Sequence, residues 1–142
     1  MRIEGLALFR REEDVLLLDR GPRLRKEQRF DLPGAMALPG ELATSASRRG
    51  VREALGLEFT PRGLLAVHAT SADDETSHHT FIFDGGPLKR SFDLLLGEGV
   101  LGCLWVHRDN LRDLVAERVE WRINVAADAG AIDAGPTRYL IS

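Results

Sequence analysis

Cysteine is nearly missing: Cys103 stands alone among 142 residues, which excludes an intramolecular disulfide and a thiolate zinc site. No apolar run approaches the roughly 18 residues that mark a membrane-spanning helix. The N-terminus carries no signal-peptide pattern, so a cytoplasmic location is the default expectation. Charge of one sign is lacking as well. Lysine and arginine number 19 against 22 aspartates and glutamates, a formal net charge of -3, which gives no pull toward a nucleic-acid polymer or an anionic membrane. Repeats, linkers and low-complexity tracts are missing too. What remains is ordinary globular composition, 44% hydrophobic and 29% charged. A chain of this length fits a single domain over residues 1–142 that buries its core without metals or disulfides.

The chain is organised around Asp31–Leu57, DLPGAMALPGELATSASRRGVREALGL. Its first half is a Gly/Pro loop with LPG at Leu32–Gly34 and PGE at Pro39–Glu41. Its second half predicts a helix from about Leu42 to Leu55, closed by Gly56 as a left-handed cap.

This stretch resembles the box of the Nudix (MutT-like) hydrolases: a Gly, five residues, a Glu, seven residues, then Arg-Glu-apolar-x-Glu-Glu-x-Gly-apolar. Aligned without gaps, Glu41, Arg49, Val51, Glu53, Gly56 and Leu57 match, whereas Ala35, Gly50 and Ala54 depart. The resemblance covers nearly the whole chain. It implies an α/β fold, a Nudix-type α/β/α sandwich with a mixed β-sheet between helices. Pattern alone gives only mixed α/β.

Positions 50, 53 and 54 share one helix face, being related by i, i+3 and i+4. In the family that face carries glutamates that hold Mg²⁺ or Mn²⁺ against a substrate pyrophosphate. Here it offers Glu53 alone, between Gly50 and Ala54, in a segment made cationic by Arg48, Arg49 and Arg52. Gly50 also weakens a helix by about 1 kcal/mol relative to alanine. Mg²⁺ is often held by one or two carboxylates completed by water and substrate phosphates. The resemblance therefore leaves Glu53 as a metal ligand, the Gly34-Ala35 backbone as a carbonyl ligand, and Arg49 with Glu41 as a supporting ion pair. A general base has to come from outside the box. Glu98 is the first candidate, with Asp73, Asp74 and Glu75 behind it; for each, a solvated loop acid is the commoner state.

Upstream, Arg2–Arg10 and Val15–Arg20 are apolar runs of strand length separated by a charged turn, which reads as a hairpin. Residues 21–30 read as a loop dense in cations. Arg20, Arg23, Arg25 and Arg29 are its candidate phosphate ligands, since arginine favours bidentate contact with phosphate oxygens. Exposed, merely solvated cations are as common.

Downstream, Leu57–Thr70 reads as a strand interrupted near Pro61-Arg62-Gly63, His78–Asp84 as a strand ended by a Gly85-Gly86-Pro87 turn, and Gly99–His107 as a buried strand. His78 and His79 point to opposite strand faces, so they do not ligate one ion jointly. Trp105 reads as core rather than as a stacking platform. Arg108–Val115 predicts a short helix beginning near Asp109 or Asn110. Glu117–Ala129 predicts an amphipathic helix with Val119, Ile123, Ala126 and Ala127 inward, broken at Gly130 or Gly135. Arg138–Ser142 reads as a last strand or an extended tail.

Two functions stay open. One is a metal-dependent hydrolase of nucleoside diphosphate-linked compounds with an altered site. The other is a catalytically inactive nucleotide-binding or regulatory module. Both take a nucleotide-type small molecule, and the resemblance also implies a possible homodimer. A purely structural dimer subunit leaves the basic loop unexplained.

Overall fold

The first two apolar runs form β1 (Arg2–Arg11) and β2 (Asp14–Asp19) in a computed structural model that describes residues 1–70, 77–88, 94–130 and 137–141. Their near-continuous hydrophobicity follows from burial on both faces. Leu6, Leu8, Val15 and Leu17 point into one core, and Ala7, Phe9, Leu16 and Leu18 into the other. Each fully buried leucine or phenylalanine contributes about 1.5–3 kcal/mol, so this alternation fixes the register.

A one-turn helix α1 (Lys26–Arg29), a short β3 (Phe30–Asp31) and β4 (Gly34–Met36) lead into α2 (Ala43–Leu55). The cationic stretch is thus not wholly loop. Helix α2 ends as expected, with Gly56 at φ 68° and its N–H donating to the Arg52 carbonyl at 2.9 Å. Strands β5 (Leu64–Thr70), β6 (His78–Pro87) and β7 (Gly102–His107) follow, then a 3₁₀ turn (Arg108–Asp113), α3 (Glu117–Gly130) and β8 (Arg138–Ile141).

Several boundaries differ from the sequence reading. Residues 57–63 lie outside β5, and β7 begins only after a turn in which Gly99 has φ 78°. The expected turn at Gly85-Gly86-Pro87 is instead the end of β6. The strand passes a bulge where Leu8 pairs with Asp84 and Phe9 with Gly86, the Phe9 ring occupying the space beside Gly85. The helix after β7 is a 3₁₀ turn, capped by His107, whose Nδ1 accepts from the Asp109 N–H at 3.1 Å. The chain's last described segment is a strand, β8, paired in parallel with β5.

The sheet runs β3-β2-β1-β6-β5-β8, with β4 on β1 and β7 on β2. It is mixed: β1 with β6 and β5 with β8 are parallel, the other pairs antiparallel. Helix α2 covers one face through Val51, Ala54 and Leu55, and α3 the other through Val119, Ile123, Ala126 and Ala127. The result is the expected α/β/α sandwich. Among the described residues no helix is long and apolar enough to cross a membrane.

Candidate functional site

The loop before α2 is held by one guanidinium. Arg49 donates from Nε to Glu41 Oε2 and from Nη2 to Glu41 Oε1, both at 3.0 Å, and from Nη2 to the Met36 carbonyl at 2.8 Å. Its Nη1 reaches Glu53 Oε2 at 3.2 Å, and Glu41 Oε1 also accepts from the Leu38 N–H. A planar fork on a carboxylate suits such a clamp. The Arg49 hydrogen bond, helped by the Leu38 N–H, holds the Glu41 carboxyl below its ordinary range. Glu41 and Arg49 thus stand as the expected ion pair.

Glu98 comes to the same end of the molecule by a separate route. The Leu95 N–H donates to the Leu55 carbonyl at 3.1 Å and the Gly97 N–H to the Ala54 carbonyl at 3.0 Å, so this segment satisfies carbonyls left open at the helix C-terminus. A cavity of about 380 Å³ lies there, lined by Arg20, Gly34, Gly50, Glu53, Ala54, Glu98 and Val100. Glu53 is well exposed, its side chain at 62%. Six of the seven were singled out from sequence or lie at the box's departures, and Glu98, 45 positions from Glu53, shares the cavity with it.

The departures have a structural meaning. A Cβ at Gly50 would overlap the carbonyl of Gly34 and the backbone nitrogen of Ala35. The helix lies on β4 so closely that no side chain fits. Ala54 is only 6% exposed and packs with Val51 and Leu55. Of the two positions that carry glutamate in the resembled box, 50 is closed by packing here, while 54 packs on one side and borders the cavity on the other. Among the described residues, no group of three His, Cys, Asp or Glu side chains could hold a metal ion. Of the residues the resemblance assigns to Mg²⁺ or Mn²⁺, Glu53 lines the box cavity together with Gly34, and Ala35 lines the adjoining cavity. Asp73, Asp74 and Glu75 lie outside the described residues.

The cationic stretch divides. Arg20, at the end of β2, lines the box cavity and a second one beside it. Arg29 is taken up by Asp19, at 3.0 and 3.2 Å, and lies over the Phe30 ring at 4.7 Å. Its hydrogen bond holds the Asp19 carboxyl below the usual range. Arg23 and Arg25 are exposed and line neither cavity. Trp105 is half-buried in the α2-side core with Arg11 at 4.3 Å over its ring, in keeping with a packing role.

The second cavity, also about 380 Å³, is shared between β1, β6 and α3, and Arg20 and Gly34 line both cavities. Its walls carry Glu4, Asp31, His78, Thr80, Arg118 and Arg122. Arg122 donates from Nη2 to Asp31 Oδ2 at 3.2 Å, while Thr80 Oγ1 donates to Glu4 Oε1 at 3.2 Å. Burial pushes the Asp31 carboxyl up against the Arg122 charge, and the Glu4 charge adds to the rise. Burial works the same way on Glu4, but the His78 hydrogen bond and the charge of Arg122 outweigh it and hold that carboxyl below its ordinary range. Apart from His78, sequence reasoning passed over this group. One signal was readable: Arg122 interrupts the apolar stripe of α3 between Val119 and Ile123, and a charge on a buried stripe needs a partner.

A sandwich with this strand order and a Gly/Pro loop clamped to the following helix is the Nudix fold. The chain is similar to a NUDIX hydrolase from Nitrosomonas europaea, at TM-score 0.70 and 23% identity over 91% of this chain and 89% of that one. It is similar to a MutT protein from Methanosarcina mazei, at 0.69 and 22% over 93% and 94%. An ADP-ribose pyrophosphatase from Streptococcus suis matches at 0.70 and 13% over 97% and 98%. No protein-family sequence model matches the chain, and no curated protein matches it significantly.

Proposed function

We propose that this chain binds a nucleoside diphosphate-type compound across its two adjoining cavities, and that the glutamate-cluster hydrolysis of the resembled box has been given up. One observation carries the second half: the backbone of Gly34 fills the space that a side chain at position 50 would need. A lost ligand can be replaced by one substitution, but a closed position cannot. The first half draws on Arg20, which lines both cavities and is suited to a diphosphate by its fork of donors. It also draws on the fold shared with an ADP-ribose pyrophosphatase.

A second reading has its own observation. Glu53 and Glu98 line one cavity, and a pair of carboxylates there can divide positioning and general-base work on a water, a contribution typically of about 10²–10⁴-fold. Phosphate release from nucleoside di- and triphosphates, dinucleotides and nucleotide sugars with Mg²⁺ or Mn²⁺ separates the two. The binding reading expects background turnover with thermal stabilisation by at least one compound. Metal-dependent turnover abolished by both Glu53→Gln and Glu98→Gln would establish the hydrolase instead.

A further inference from the structure

The second cavity carries buried charge, and its unmet need is that of a donor. Its acceptors are served from within. Asp31 Oδ1 accepts from the Leu32 N–H at 2.7 Å and Oδ2 from Arg122. Glu4 Oε1 accepts from Thr80 and lies 3.5 Å from His78 Nε2. One donor is not so served. Arg122 is 8% exposed, and its Nε is buried without a hydrogen-bond partner among the described residues. A buried donor left unmatched costs about 1–3 kcal/mol, more when it is charged, so an acceptor supplied by a ligand is strongly favoured there. Arg118 lies one helical turn before Arg122 on the same face of α3 and is exposed at the wall of the same cavity. With Arg20, three guanidinium groups line it against the two carboxylates, Glu4 and Asp31.

We infer that this cavity receives an anionic group, a carboxylate or a phosphate, carried by the part of the ligand beyond its diphosphate. Arg122 meets it from the cavity floor and Arg118 from the rim, while Asp31 holds Arg122 in place. The ligand class narrows accordingly, to diphosphate-linked compounds with a second, separate negative group. This rests on the reading of the chain as a diphosphate-binding protein.

Isothermal titration of the intact chain with two matched pairs of probes tests it. UDP-glucose against UDP-glucuronate differs by a carboxylate; ADP-ribose against its 2′-phosphate differs by a phosphate. The anionic member of at least one pair is expected to bind about tenfold or more tightly, the worth of one charge-assisted hydrogen bond. Which pair responds tells carboxylate from phosphate. The preference should shrink to about twofold in Arg122→Gln. Arg118→Gln, at an exposed position, should shrink it too and remains informative if Arg122→Gln does not fold. Equal binding within both pairs, alongside clear binding of ADP or UDP, would overturn this inference alone. Failure of ADP, UDP and all four probes to bind would overturn it together with the diphosphate reading.

Discussion

Gly50 on α2 rests directly against the carbonyl of Gly34 on β4, with no room for a β-carbon between them. From helix propensity alone this glycine is a defect, and alanine would gain about 1 kcal/mol. The contact reverses the sign. We expect Gly50→Ala to destabilise the protein by about 1–3 kcal/mol, the usual cost of forcing atoms into a filled site, as read from chemical denaturation. Stabilisation by this change would show that the helix can lift off β4 freely, and would remove the main support for a closed box.

Ala54 offers the contrast. It is buried at 6% yet lines the box cavity with Glu53 and Glu98, so a longer side chain there has somewhere to go. Ala54→Glu is expected to create a three-carboxylate cluster that binds Mn²⁺ at least tenfold more tightly than the parent, because clustered like charges favour a cation that neutralises them. Titration followed by electron paramagnetic resonance reads this directly. Gly50→Glu should give no such gain and should lower the melting temperature.

Arg49 should not tolerate lysine. Its fork reaches both oxygens of Glu41 and the Met36 carbonyl at once, and an ammonium on a flexible stem cannot reproduce that geometry. Arg49→Lys is expected to cost about 1 kcal/mol, after allowing for the exposed side of the pair. Faster amide exchange over residues 36–41 would accompany it. Unchanged exchange there would show that the loop is held by something else.

The same clamp sets a pH dependence. The Glu41 carboxyl is held below the ordinary carboxylate range, first by the Arg49 hydrogen bond. A carboxylate with a depressed folded pKa contributes stability above its unfolded pKa, and that contribution is lost as pH falls through the folded pKa. Thermal midpoints of the parent and Glu41→Gln should therefore differ most at neutral pH and converge as pH drops below about 4. A constant gap down to pH 2.5 would sink this assignment.

How much of this was legible in the sequence depends on the range of the interaction. The apolar runs that became β1 and β2, the cap at Gly56 and the inner stripe of α3 all follow from local pattern, and the structure has them where the pattern puts them. The parallel pairing of β1 with β6 and the bulge at Gly85-Gly86 depend on strands some 70 residues apart. The Gly50 contact is equally opaque, since propensity knows nothing of the backbone opposite. Within the site, Glu41, Arg49, Glu53 and Glu98 were found because a family pattern flagged the first three and chain position suggested the fourth. Arg122 and Asp31, 91 positions apart, carry no shared motif. Only the misfit of an arginine on an apolar stripe pointed to them.

That pair supplies the most demanding prediction. Arg122 is 10% exposed at its side chain and Asp31 25%, so removing one partner leaves the other partly buried and uncompensated. Arg122→Met is expected to cost about 3 kcal/mol, near the low end for a broken buried pair, because the Asp31 carboxyl, already raised by burial, relieves itself by taking a proton. The loss should therefore be larger at pH 8 than at pH 5, since protonation is less available at the higher pH. Adding Asp31→Leu to Arg122→Met should recover most of the stability by replacing the pair with apolar contacts, while abolishing any preference for an anionic ligand. A double variant no more stable than Arg122→Met, with a loss independent of pH, would mean that Arg122 acts through the packing of its alkyl chain rather than through its charge.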